Sequence, residues 1–125
     1  MIERGWAEEF VREWIEGWNA HDLERVLAHY ADDFEMTSPL IVQRLGIADG
    51  KLKGKEAVRR YWSQGLASMP DLHFNLIDVI VGVNSVAIVY ESQTMSRTVV
   101  EYIQFDERKL GVRAEGLYGD VRAGR

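Results

Sequence analysis

Apolar residues recur every three or four positions through the first part of the chain and every second position through the last. Trp6, Phe10, Trp14 and Trp18 lie four apart, with Val11 and Ile15 beside them, and Glu8, Glu9, Arg12, Glu13 and Glu16 fall on the opposite side. That spacing predicts an amphipathic helix over residues 3–18. Asp22 has the side chain of an N-cap, and Leu23, Val26, Leu27 and Tyr30 follow at helical spacing, so a second, shorter helix is expected to run to about Ala31. Residues 34–38 alternate apolar and polar as a strand does, until Pro39 interrupts. Residues 40–45 are apolar and suit a strand or a flap. Asp49-Gly50 signals a turn, and after Gly54 a third helix places Val58, Tyr61, Trp62, Gly65, Leu66 and Met69 on one side before Pro70-Asp71 closes it.

The second half predicts strands over residues 72–83, 86–93, 97–105 and 110–118, with Asn84-Ser85 and residues 106–109 as turns. Period-2 parity puts Val99, Glu101, Ile103 and Phe105 on one face, and Val79, Val89, Val100 and Tyr102 on the outward one. The same parity groups Asp78 with Leu72, Phe74 and Leu76. Three helices with a curved, mostly antiparallel sheet make an α+β layout, the helices packed on one face of the sheet.

Length and charge narrow the class. At 125 residues without a linker, repeat or low-complexity stretch, residues 1–125 are expected to form one domain, with 121–125 a frayed tail. Asp and Glu total 20 against 15 Lys and Arg, a net charge of −5, which argues against general nucleic-acid binding. No cysteine is present, which removes disulfides, thiolate metal sites and a cysteine nucleophile. The charged start, Met1-Ile2-Glu3-Arg4, is unlike a signal peptide, and no apolar run approaches the ~20 residues of a membrane span. A cytoplasmic location and no membrane partner are the expectations.

An ordered series of short motifs carries a resemblance. Trp18-Asn19-Ala20-His21-Asp22-Leu23, Tyr30-Ala31-Asp32-Asp33-Phe34, Ser38-Pro39, Gly54-Lys55-Glu56-Ala57-Val58 and Phe105-Asp106-Glu107 together resemble the nuclear transport factor 2-like superfamily. Within it, the SnoaL-like branch and the ketosteroid isomerases are most similar. The resemblance covers residues 8–120. It implies a cone: a strongly bent sheet wrapped around three helices, with a deep apolar cavity. It also implies a homodimer through the outer sheet face. It leaves function open, because members include isomerases, cyclases and hydratases as well as domains that only bind or dimerise.

By that resemblance, the general-base Asp of the isomerases falls on Ser38, and a serine hydroxyl cannot take up a proton near neutral pH. The phenolic Tyr of their first helix falls on Trp14. The Asp that completes their oxyanion hole falls on Glu101. That residue also stands out unaided, as a carboxylate on an otherwise apolar strand face. Such a group must be paired, neutralised or wet. Either it lines a cavity with a raised pKa and acts as general acid or hydrogen-bond donor, or it is locked in a salt bridge to Arg97, Arg113 or a helix residue.

Aromatic residues suggest the cavity wall. Trp14, Trp18, Tyr30, Phe34, Trp62 and Tyr90 are expected to divide between core and pocket, with Ser38, Ile103 and Glu101 beside them, a composition suited to a small, apolar, oxygen-bearing molecule. His21, His29 and His73 lack ligand spacing, and neither a Gly-rich phosphate loop nor a metal pair is present, so no metal or cofactor is expected. His29 is expected to be solvated, and His73 is a candidate for the cavity mouth. Residues 40–53 are either a lid or a static hairpin. The basic run Lys51, Lys53, Lys55, Arg59 and Arg60 is either a solvated face or a docking site for an acidic partner. The functional expectation is a small-molecule-binding domain that, if it is an enzyme, works by cofactor-free acid–base chemistry of isomerase, cyclase or hydratase type centred on Glu101. The alternative is a non-catalytic ligand-binding or dimerisation module.

Overall fold

The computed structural model describes residues 1–122. Helix α1 spans Arg4–Asn19 and buries Ala7, Phe10, Val11, Trp14, Gly17 and Trp18, the stripe its periodicity marks. Its C-terminal end is tied to the sheet: the Asn19 amide donates to the Phe74 carbonyl at 3.0 Å and accepts from the Phe74 N–H at 2.8 Å. His21 donates to the Leu72 carbonyl at 3.0 Å. Helix α2, Leu23–Leu27, starts at Asp22, whose side chain accepts from the Arg25 N–H at 3.2 Å.

α2 stops short of Ala31, because residues from Tyr30 onward belong to strand β1, Tyr30–Thr37. The Gly111 N–H donates to the His29 carbonyl at 2.9 Å, and Tyr30 then lies opposite Gly111. Long-range pairing takes the backbone that local periodicity assigns to a helix. Asp32 and Asp33 sit exposed within this strand.

Residues 40–45 are not a strand. They form helix α3, Pro39–Leu45, which brings the helices among the described residues to four. Its end signals explain it. Ser38 accepts the Leu40 N–H at 3.2 Å, Pro39 occupies the first turn, where no N–H is needed, and Gly46 closes it at φ 69°. Strand β2, Lys51–Lys53, and helix α4, Lys55–Ser68, follow, the latter burying Val58, Tyr61 and Trp62.

Strands β3 (Phe74–Val81), β4 (Ser85–Ser92), β5 (Arg97–Phe105) and β6 (Gly111–Tyr118) complete one curved, unclosed sheet in the order β2-β1-β6-β5-β4-β3. Only the β1–β6 pairing is parallel. β4 and β5 alternate strictly, burying Val86, Ile88, Tyr90 and Ser92, then Val99, Glu101, Ile103 and Phe105. β3 does not keep its parity. A register shift between Leu76 and Asp78 turns Val79 inward and leaves Leu76, Ile77, Asp78 and Ile80 exposed, which corrects the outward placement of Val79 and separates Asp78 from Phe74. Residues 123–125 of the expected tail lie outside the described residues. Arg122 is held by an ion pair to Glu91 and by its N–H on the Ser96 carbonyl.

Gly111 is a point of close approach between sheet and core. A Cβ there would lie 2.7 Å from the Tyr30 ring and 3.2 Å from Ile103, both fully buried. Gly111→Ala is therefore expected to cost about 1–3 kcal/mol through overpacking. Urea unfolding checks it, since an unchanged midpoint would mean that Tyr30 relaxes freely.

Candidate functional site

Trp14 and Trp18 from α1, Trp62 from α4, Phe74 from β3 and Tyr90 from β4 are buried and enclose a cavity of about 70 Å3, with Met36, Val99 and Glu101 deeper in its wall. The rings meet edge-on or tilted: Trp18–Trp62 at 5.0 Å, Phe74–Tyr90 at 4.3 Å and Trp14–Tyr90 at 5.5 Å between centroids. Arg44, Gly65, Leu66, Met69 and Met95 also line the space but keep solvent exposure, so they mark its mouth. The enclosed volume holds about five water-sized probes. It suits a small compound, or the inner end of a larger one that extends through the mouth.

Glu101 is the one carboxylate in this wall. It is 3% exposed, set between Ile88 of β4 and Gly116 of β6. Because Gly116 carries no side chain, nothing covers Glu101 from that neighbour. Its Oε2 is buried without a hydrogen-bond partner, and among the described residues no cation lies within ion-pair distance. Arg97 instead donates to the Gly119 carbonyl and lies over the Tyr118 ring. Arg113 is exposed. Loss of water alone pushes the Glu101 pKa up to about 8, so at neutral pH the carboxyl is mostly protonated and offers an O–H. Tyr30, Tyr61, Tyr90 and Tyr118 all lie close enough for its charge to be felt, and burial raises each phenol further out of range.

Of the residues singled out from the sequence, Trp14, Trp18, Trp62, Tyr90 and Glu101 line the cavity. Tyr30, Phe34, Ser38 and Ile103 are completely or almost completely buried behind it and do not line it. Tyr30 accepts the Trp14 indole N–H at 3.0 Å and so fixes that wall. Ser38 caps α3. The indole N–H of Trp18 is buried with no acceptor. Sequence reasoning missed Arg44, Tyr61 and Tyr118. Tyr61 was marked only as a helix-stripe residue, and Arg44 becomes visible once residues 39–45 are seen to coil.

The remaining candidates lie elsewhere. His73 is exposed and borders a separate surface groove with Asp71, Gln93 and Thr94. His29 is half-buried rather than solvated, edge-on to Phe10 at 5.1 Å, and burial lowers its pKa. The basic run is largely neutralised: Lys51 pairs with Glu35, Lys55 with Asp32, and Arg59 with Glu24 and Glu56. Among the described residues, no three His, Asp or Glu side chains are grouped to hold a metal ion. Nor is any helix there long and apolar enough to cross a membrane.

Comparison with known proteins places this geometry. The SnoaL-like domain profile matches residues 11–112. A SnoaL-like protein of unknown function from Burkholderia thailandensis is 45% identical over 96% of this chain and 100% of its own, with a TM-score of 0.91. An NTF2-like protein of unknown function from Burkholderia xenovorans is 15% identical, covers 95% of this chain and 87% of its own, and gives 0.73. TerC, co-crystallised with polyporic acid, is 15% identical over 90% of each chain and gives 0.72. The last two establish the fold alone. A search of curated proteins finds no match.

Glu101 links this site to stability. Its pKa is raised from 4.5 unfolded to about 8 folded, so the folded state retains a proton that the unfolded chain releases. Its contribution to stability is whole below pH 4.5, falls as pH rises to about 8, and is flat above that. Over that window the loss sums to a few kcal/mol, at about 1.4 kcal/mol per unit. Glu101→Gln keeps the shape and cannot ionise. It is expected to unfold near the wild-type urea midpoint at pH 5 and clearly above it at pH 8. A difference between the two proteins that does not change with pH would show that the carboxyl is ionised when folded.

Proposed function

The chain belongs to the SnoaL-like domain family, and from that premise we propose that it binds a small, largely apolar, oxygen-bearing molecule in its aromatic cavity and acts on it by acid–base chemistry through Glu101. The observation that carries this reading is the desolvated, unpaired Glu101 carboxyl in the cavity wall. A carboxyl with a pKa near neutrality is matched to proton transfer. In the protonated form it donates to a ligand carbonyl or hydroxyl oxygen. In the ionised form it removes a proton from an adjacent carbon. Aromatic walls orient the ligand and exclude water. TerC, of the same fold, was crystallised with polyporic acid, which supports a cone that takes an organic guest.

A second reading is binding without turnover. It is favoured by the cavity wall itself, which holds no histidine and no second carboxylate to share the proton work.

Cyclohexanone is a suitable probe for both. Titrating it in should change the fluorescence of Trp14, Trp18 and Trp62, and Gly65→Leu, placed where a Cβ meets nothing within 4 Å at the mouth, should weaken binding severalfold. In D2O, exchange of the ketone's α-protons should be accelerated by the wild type and not by Glu101→Gln. Binding without accelerated exchange selects the second reading, and no binding rejects both.

We also propose a homodimer through the outer sheet face. Ile77, Ile80 and Leu117 are exposed there, next to the part-exposed Val89, Val100 and Tyr102. Register aligns Val89, Val100 and Leu117 in one row across β4, β5 and β6. Sedimentation should give a species of twice 14.3 kDa at micromolar concentration. Val100→Glu should yield the monomer, and a wild-type monomer at high micromolar concentration ends the proposal.

A further inference from the structure

Two polar elements of the cavity differ sharply in exposure: Glu101 is buried and Arg44 is not. Arg44, on α3, is the one cation among the lining residues, and it is at the exposed mouth. Arg4, Arg12, Arg25, Arg59, Arg108 and Arg122 all sit in ion pairs with carboxylates, but among the described residues Arg44 has no acidic side chain within 4 Å. Its charge reaches Tyr61 and Tyr118, which also line the cavity. The same two phenols also lie within reach of the Glu101 charge. Two lining residues meanwhile carry buried polar atoms without partners, the Trp18 indole N–H and the Glu101 Oε2. A buried donor without an acceptor is costly, and a ligand oxygen relieves that cost.

Resting on the small-molecule reading above, we infer that the ligand is a bipolar organic anion: a compact ring whose neutral oxygen hydrogen-bonds to the Trp18 indole and the Glu101 carboxyl, joined to a carboxylate that lies at the mouth on Arg44. The difference in exposure between Arg44 and Glu101 decides this arrangement. A carboxylate at the inner end would meet a desolvated wall whose one carboxyl it would repel if ionised. At the mouth the same charge stays partly hydrated and meets a guanidinium built to hold a carboxylate by two N–H groups. The cavity is small, at about 70 Å3, and Arg44 at its mouth is exposed, so a tail paired with it stays in contact with solvent.

A matched pair of probes tests this. 3-(4-Hydroxyphenyl)propanoate and its amide differ only in the charge of the tail. Tryptophan fluorescence and calorimetry should show the acid binding roughly tenfold more tightly than the amide at low salt. Arg44→Gln should remove that preference and leave the affinity for the amide unchanged. Trp18→Phe should weaken both probes equally, through loss of the inner donor. Equal binding of acid and amide to the wild type overturns the bipolar-anion inference while leaving the cavity as a binding site. A preference that survives Arg44→Gln also overturns it, because the anion is then held elsewhere. If the two probes and cyclohexanone all fail to bind, the small-molecule reading falls, and the inference with it.

Discussion

A carboxyl group kept out of water at the inner face of a bent sheet is the constraint around which the rest is arranged. Burying Glu101 as an anion without a partner would cost several kcal/mol, and the described residues supply no cation within ion-pair distance to offset it. The proton is retained instead, and the pKa moves to about 8. That outcome depends on dryness, and dryness depends on the aromatic wall: Trp14 and Trp18 from α1, Trp62 from α4, and Phe74 and Tyr90 from the sheet. The wall in turn depends on two anchors. Tyr30 holds the Trp14 indole, and Asn19 binds both backbone groups of Phe74, so helix and sheet close on the same space.

Elsewhere the same chain treats charge in the ordinary way. Glu13, Glu16, Glu24, Glu35 and Glu56 all sit beside arginine or lysine near the surface. Exposed pairs of this kind contribute little to stability, but they neutralise the helix faces. The contrast separates the cavity from the surface in chemical terms. Glu101 stays without a partner, and Arg44 faces the mouth with its charge uncompensated by any described acidic group.

The fold is shared with chains of very different description. Where the resemblance to ketosteroid isomerases places a general base, this chain has Ser38, and the structure employs that residue as a helix cap. The hydroxyl is consumed in starting α3, and α3 delivers Arg44 to the mouth. A change from a proton acceptor to a capping residue thus goes with a different polar layout: one neutral carboxyl deep in the cavity and one cation at its entrance.

Much of this was legible from residue order alone. Trp6 to Trp18 at helical spacing, the strict alternation of β4 and β5, and the turn at Asn84-Ser85 are local patterns, and local sterics with one-sided burial are enough to set them. Glu101 was legible as an anomaly, because alternation alone puts it on the apolar face. What tertiary structure decided was everything that depends on a partner distant in sequence. Tyr30 left its helical pattern because the backbone at Gly111 was there to bond it. Val79 turned inward because β3 takes up one extra residue against β4. Tyr30, Phe34 and Ile103 went to the core rather than the cavity wall, since parity says which face a side chain takes but not how deep the opposing helices reach. Whether Glu101 would find a cation or be left to keep its proton was likewise settled only when the cone closed, for desolvation is a property of the whole enclosure and of no single residue.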